Sequence, residues 1–194
     1  MVVLGDRFVD AMGYAASVHA AQKRKGSDVP YLAHLLGVSS LVLEAGGDED
    51  LAIAALLHDA AEDHGGEAQL VEIDDRFGSR VARIVRECSD SLLAEDSEKP
   101  NWETRKSEHL SRLPLASDDT LLVWTADKVH NARALATDVA VHGRGFLDRF
   151  HAPPDRLLWY YRSNLELVRA RNVSAALVVP LGVAVDALSG LLGQ

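Results

Sequence analysis

Apolar positions recur at helical spacing along almost the whole chain. Ile53, Leu56, Leu57 and Ala60 form one stripe, Val81, Ile84 and Val85 a second, and Leu121, Leu122 and Val129 belong to a third. Ala and Leu are abundant, and both favour helix. Alternating strand runs and Asn-Gly or Asp-Gly hairpin turns are missing from the sequence. The pattern predicts an all-α fold, with helices at roughly 6–24, 31–46, 49–63, 67–76, 78–90, 101–112, 117–139 and 154–171 and a last one from about 174. Gly46-Gly47, Gly65-Gly66, Gly143 with Gly145, and Pro153-Pro154 punctuate these segments. Ser117 and Asp118 read as a helix start. The acidic stretch "SLLAEDSEKPNW" reads as a loop. No repeat, low-complexity tract or linker divides the 194 residues, so one domain over 1–194 is expected.

The most apolar segment is "VSAALVVPLGVAVDALSGLLGQ". Pro180 and Asp186 interrupt it, so it falls short of an uninterrupted membrane span. It is expected to be a terminal helix covering the core or a partner subunit, which makes a homo-oligomer an expectation. The opening "MVVLGDRFVDAMGYAA" carries Asp6, Arg7 and Asp10 too early for a secretory signal core. The chain is long enough to bury a core without disulfide or metal staples. The single cysteine, Cys88, excludes an intrachain disulfide and a Cys-rich zinc site, and it fits a reducing cytoplasm. A formal net charge of −9 argues against a nucleic acid polymer as partner. A small phosphate compound needs only a few clustered Lys and Arg.

The stretch "ALLHDAAEDHGG" sets His58, Asp59, Glu62, Asp63 and His64 directly after an apolar run. On a helix, His58 and Glu62 are four apart, as are Asp59 and Asp63, and positions four apart share a face. Three carboxylates this close repel unless a cation or a proton intervenes. A divalent metal would resolve the conflict, since His with carboxylate is a common ligand mixture. Taken alone, the stretch is equally a solvated acidic helix end. "YLAHLLGVSSLV" puts His34 on an otherwise apolar helix, as a ligand or as a satisfied core histidine. "LLVWTADKVHNARAL" puts Asp127 after an apolar turn, as a ligand or as the ion-pair partner of Lys128 or Arg133.

The combination His…His-Asp…Asp resembles the HD-domain metal-dependent phosphohydrolases. Within them, "HAAQKRKGSDVPYLAH", "AALLHDAAEDHG", "RFGSRVARIVRECSD", "WETRKSEHL" and "TADKVHNARAL" are similar to the RelA/SpoT-type alarmone hydrolase domain and its small stand-alone relatives, the metazoan SpoT homologues. These pieces run from about residue 15 to 137, and "LLWYYRSNLELV" is similar to small bacterial members. The family usually has Pro after the first metal His, where Leu35 stands here. A Lys-Leu or Leu-Ala pair usually precedes the third-motif Asp, where "WTAD" stands here. Neither departure removes a ligand; both bear on the substrate pocket.

The resemblance implies an HD-domain helical bundle with C-terminal helices at about 154–192. It implies metal ligands His34, His58, Asp59 and Asp127, and a divalent cofactor, typically Mn²⁺. The activity implied is removal of the 3′-pyrophosphate of guanosine tetra- or pentaphosphate, giving GDP or GTP and pyrophosphate. Glu62 and Asp63 match the pair that orients or deprotonates the attacking water, and Arg24 and Lys25 match a substrate-binding pair. Arg105 and Lys106 are a second candidate substrate cluster, or simply a charged helix face. Lys128 and Asn131 follow Asp127 as further substrate candidates; Asn131, four residues on, lies on the expected metal side as a donor to a phosphate or ribose oxygen. Arg133 is expected in a structural ion pair. Tyr160 and Tyr161 are pocket candidates without a role, and His64 and His130 remain unassigned. Adenosine alarmones, or another phosphoester such as a 5′-monophosphate, are the alternative substrates. A non-catalytic nucleotide-binding HD module is the alternative of a different class. In every reading the partner is a small nucleotide, and no membrane is expected.

Overall fold

The computed structural model describes residues 2–92 and 100–193. The apolar stripes become ten α-helices among the described residues: α1 (Asp6–Val18), α2 (Leu32–Glu44), α3 (Glu49–Leu57), α4 (Ala60–Asp63), α5 (Glu67–Phe77), α6 (Ser79–Cys88), α7 (Trp102–Arg112), α8 (Asp118–His142), α9 (Pro154–Ala170) and α10 (Ala175–Leu192). The one extended pairing described is an isolated bridge between Lys23 and Pro30. Most of the acidic stretch expected as a loop, residues 93–99, lies outside the described residues.

Local chemistry fixes several helix starts. Asp48 caps α3 by accepting from the Leu51 N–H at 3.0 Å, Asn101 caps α7 through Thr104, and Ser117 caps α8 through Thr120. Pro154 occupies the first turn of α9, where its missing N–H is harmless. Gly78, at φ 91°, makes the left-handed turn between α5 and α6.

α3 forms the centre. Its sequence pattern predicted one buried stripe, but every residue from Leu51 to Leu57 is buried. The helix is enclosed by α1, α2, α6 and α8, and Ala52, Ala54 and Ala55 keep its girth small enough for that. Leu56 is wholly buried in the core, and Leu56→Ala leaves a cavity there. It is expected to lower the unfolding free energy by about 2–5 kcal/mol, read as a lower denaturation midpoint at unchanged slope.

Two helices end earlier than predicted, both at residues of interest. α1 stops at Val18 instead of continuing to 24, because His19 turns into the interior at 2% exposure. The chain then folds back through Arg24 N–H to Val29 C=O (2.8 Å) and Tyr31 N–H to Gln22 C=O (2.9 Å), carrying Arg24 and Lys25 on a loop. The predicted helix 49–63 is divided at His58 and Asp59. Asp59 has φ −99° and ψ −7°, opening the helix before the single turn of α4.

α8 is the long spine, against which α2, α6, α9 and α10 pack. α10 is the terminal helix expected, and it runs through Pro180 without a break. By length and composition it is long and apolar enough to cross a membrane, with mean hydropathy 2.0. In this fold Leu177, Leu181, Val185 and Leu188 are buried on its inner side, against α8 and α9.

Candidate active site

Three elements bring four side chains to one point. His34 sits in the first turn of α2 and is wholly buried. His58 ends α3, and its Nδ1–H donates to the Ala55 carbonyl at 2.8 Å. A carbonyl only accepts, so that bond fixes the tautomer and aims Nε2 away from α3. Asp59 follows at the helix break, and Asp127 projects from the middle of α8.

His34 Nε2 lies 3.2 Å from Asp127 Oδ1 and 3.7 Å from Asp59 Oδ2. His58 Nε2 lies 3.0 Å from Asp59 Oδ2 and 3.7 Å from Asp127 Oδ1. Ligand atoms of His34, His58 and Asp59 all fall within 4.8 Å of one another, a spacing that can hold a metal ion. Both Nε2 atoms are buried without a hydrogen-bond partner of good geometry. Orphaned buried polar atoms are costly, and two of them facing two carboxylates fit a divalent cation. Asp127 also serves the ion pair weighed from the sequence. Its Oδ2 takes the Lys128 ammonium at 2.5 Å while Oδ1 faces the histidines, so the two readings coexist.

The electrostatics agree. Burial opposes charge on Asp59, but His58 and His34 outweigh it and hold the carboxyl well below the usual range. Burial likewise opposes charge on Asp127, and Lys128 with the two histidines overcomes it. Burial would suppress protonation of His58, yet Asp59 and Asp127 raise its pKa well above that of ordinary histidine. The cluster therefore binds positive charge strongly, as a proton or as a cation.

Glu62 and Asp63 stand on α4. Glu62 Oε2 accepts the Asp90 N–H at 2.8 Å, and burial, then the Asp90 charge, push its carboxyl up to about 7. Asp63 accepts from Gln22 Nε2 at 2.7 Å; burial and Asp59 raise its pKa. Gln22 Oε1 is in turn met by His19 Nδ1 at 2.5 Å and His64 Nε2 at 3.1 Å. His64, unassigned from the sequence, thus helps orient the amide that holds Asp63.

A well of about 200 Å³ over the cluster is lined by His58, Asp59, Glu62, Asp63 and Asp127 among others. It shares Tyr31, Asp63, Lys106, Lys128 and Asn131 with a cavity of about 400 Å³. Arg24, Lys25, Tyr160 and Tyr161 line that cavity too. Arg24 donates to Asn131 Oδ1 at 2.8 Å, and Lys25 lies 5.0 Å over the Phe150 ring. Lys128 stands 3.6 Å over the Trp124 ring. Five of the six substrate candidates therefore face one cavity. Arg105 does not. It pairs with Asp90 at 3.2 Å and with Glu62 at 3.6 Å, behind the well. Arg133 is exposed beside α10, and the ion pair expected for it does not form among the described residues. A depression of about 490 Å³ along Arg144–Pro154 is larger but gathers no such cluster.

Sequence reasoning gave no role to three groups the structure places at the site. The Tyr31 hydroxyl donates to Asp59 Oδ2 at 2.5 Å. Asp90, just past α6, is almost completely buried and binds Lys106 and Arg105, with His109 Nδ1 at 3.3 Å. His130 Nδ1 lies 2.9 Å from His34 Nδ1. Only Asp90 had a visible signal, an acid immediately after the apolar stripe of α6.

Residues 11–144 match the HD domain family. The chain is 35% identical over 132 residues to the mouse protein named guanosine-3′,5′-bis(diphosphate) 3′-pyrophosphohydrolase MESH1, covering 66% of this chain and 69% of that one. It is 38% identical over 130 residues to the Xenopus tropicalis protein of the same name, covering 66% and 68%. A solved structure of a metazoan ortholog of SpoT that hydrolyzes ppGpp superposes with a TM-score of 0.73 at 26% identity, covering 95% of this chain and 96% of that one. lmo0812 from Listeria monocytogenes shares the fold, with a TM-score of 0.66 at 21% identity over 83% of this chain and 99% of that one.

Proposed function

Because the chain belongs to the HD-domain family, among the relatives of the guanosine-3′,5′-bis(diphosphate) 3′-pyrophosphohydrolases, we propose that it is a metal-dependent hydrolase of (p)ppGpp. The products are GDP or GTP and pyrophosphate. The observation that carries this reading is the meeting of two orphaned histidine Nε2 atoms with two carboxylates beneath a cationic cavity.

In this reading His34, His58, Asp59 and Asp127 hold a divalent cation, Mn²⁺ by preference, which when bound lowers the pKa of water and polarises a phosphoryl oxygen. Arg24, Lys25, Lys106 and Lys128 offset the substrate's negative charge along the cavity wall. Asn131, held between Arg24 and Asp127, offers its amide to a phosphate or ribose oxygen. Glu62 receives the proton of the attacking water, and its raised pKa suits proton transfer near neutrality. Asp63, steadied by Gln22, orients that water.

Glu62→Gln keeps the shape and loses the base. Turnover is expected to fall about 10²–10⁴-fold with Co²⁺ affinity nearly unchanged. With Mn²⁺ kept saturating at each pH, wild-type kcat/KM is expected to fall through an acid limb at or below about 7 as Glu62 takes up its proton, a limb absent from Glu62→Gln. Loss of metal binding in this variant would instead place Glu62 among the ligands.

The activity is tested by incubating the protein and Mn²⁺ with ppGpp, its adenosine counterpart and ordinary 5′-monophosphates, and identifying the products. Pyrophosphate from ppGpp is expected. Orthophosphate from monophosphates alone would overturn the proposal. Tight binding of the panel without turnover would favour a nucleotide-binding module.

We read the chain as a single cytoplasmic domain, a reading supported by the one buried cysteine, Cys88. The outward Val179 and Val183 of α10 support a homo-oligomer.

A further inference from the structure

Gly37 lies in the middle of α2, where glycine destabilises a helix relative to alanine. Across the interface stands His130 of α8. A Cβ on residue 37 would come within 2.5 Å of His130 Nε2, so the imidazole fills the space a side chain would need. From that seat His130 Nδ1 reaches His34 Nδ1 at 2.9 Å, with ring centroids 4.7 Å apart. His34 is wholly buried, and its far nitrogen, Nε2, is one of the two orphans facing Asp127 and Asp59.

Two ring nitrogens in contact need one hydrogen between them. His34 Nε2 can give its lone pair to a cation only if the ring hydrogen sits on Nδ1. That hydrogen then points at His130 Nδ1, which must accept it. The opposite tautomer would put a hydrogen on Nε2, directed at the carboxylates, and would block ligation. His58 has the Ala55 carbonyl for the same task. The helix carrying His34 gives it no such carbonyl contact in this structure; its recorded Nδ1 partner is His130.

We propose that His130, seated on Gly37, is a positioning residue that locks His34 in the tautomer and orientation presenting Nε2 to the divalent cation. The inference rests on the metal reading above. His130 does not touch the cation; it acts through His34. Gly37 contributes by having no side chain, which explains a glycine where the helix would be more stable with alanine.

The test is direct titration of Co²⁺ and Mn²⁺ into chelator-stripped protein, followed by calorimetry, with thermal unfolding of each metal-free variant alongside. His130→Ala is expected to weaken Co²⁺ binding about 10–100-fold. His130→Asn places a carbonyl oxygen near the position of Nδ1 and should recover most of that loss. Gly37→Ala should weaken binding in the wild-type background by displacing the ring. In the His130→Ala background it should weaken binding no further, and the metal-free double variant should melt no lower than His130→Ala alone. Co²⁺ affinity within twofold of wild type in His130→Ala would overturn the proposal. So would an undiminished effect of Gly37→Ala in the double variant, or a drop in melting temperature with metal affinity unmoved. If wild type itself bound neither ion, the metal reading would fall and take this inference with it.

Discussion

Asp59→Ala is expected to reduce turnover on the order of 10³-fold or more, while costing the metal-free protein less stability than the same change at Asp127. Asp59 is partly open to the well, and its oxygen faces His34, His58 and the Tyr31 hydroxyl. Removing it deletes a ligand and relieves repulsion with Glu62 and Asp63. Asp127→Ala should lose turnover equally but behave differently in folding. Asp127 is the anion that keeps Lys128 charged inside the protein. Its loss leaves an uncompensated buried ammonium, expected to lower stability by about 3–5 kcal/mol. Activity measured beside chemical denaturation separates the two. Asp59→Ala retaining a tenth of wild-type kcat/KM would remove Asp59 from the ligand set.

The second large effect is chelation. Stripping divalent ions should reduce activity to background, and Mn²⁺ should restore it. Ligation also stabilises the fold, because a cation at about 100 times its Kd adds roughly 2.7 kcal/mol. For a chain of this length each kcal/mol moves the melting temperature by roughly 2–4 °C, so chelation should lower it by about 5–10 °C. The pH dependence has a definite sign. Ligation needs His58 without its proton, and Asp59 and Asp127 raise that imidazole's pKa well above the ordinary value. Cation affinity is therefore expected to strengthen as pH rises toward that pKa. In the chelated protein the raised His58 pKa acts in the other direction. Its contribution to stability is complete below the unfolded histidine pKa and is lost as pH rises through the folded one. Activity and melting temperature both insensitive to chelation would rule the cation out.

Much of this was legible in the sequence because it is local. Apolar periodicity placed the helices, and short polar side chains such as Ser117 marked where they begin. The resemblance named His34, His58, Asp59 and Asp127 from their surrounding motifs, and the structure draws them together. What could not be read depended on partners far along the chain. The break at His58 and Asp59 runs through residues with good helical neighbours, and nothing local predicts it. Asp90 looks like a turn residue until Lys106 and Arg105 arrive beside it. Arg105 looks like Lys106 until the burial of Asp90 and Glu62 draws it behind the well. His130 and His34 are 96 positions apart, and their contact follows only from how α2 and α8 cross.

α3 ends in His58 while being enclosed on every side. Amide hydrogens in such a helix exchange with solvent only through global opening. The loop 19–31 has few backbone hydrogen bonds of its own and carries Arg24 and Lys25. The two halves of the site therefore belong to different cooperative units. On warming, the loop that carries Arg24 and Lys25 is expected to open first, while the His58 end of α3 is expected to persist until the whole molecule unfolds.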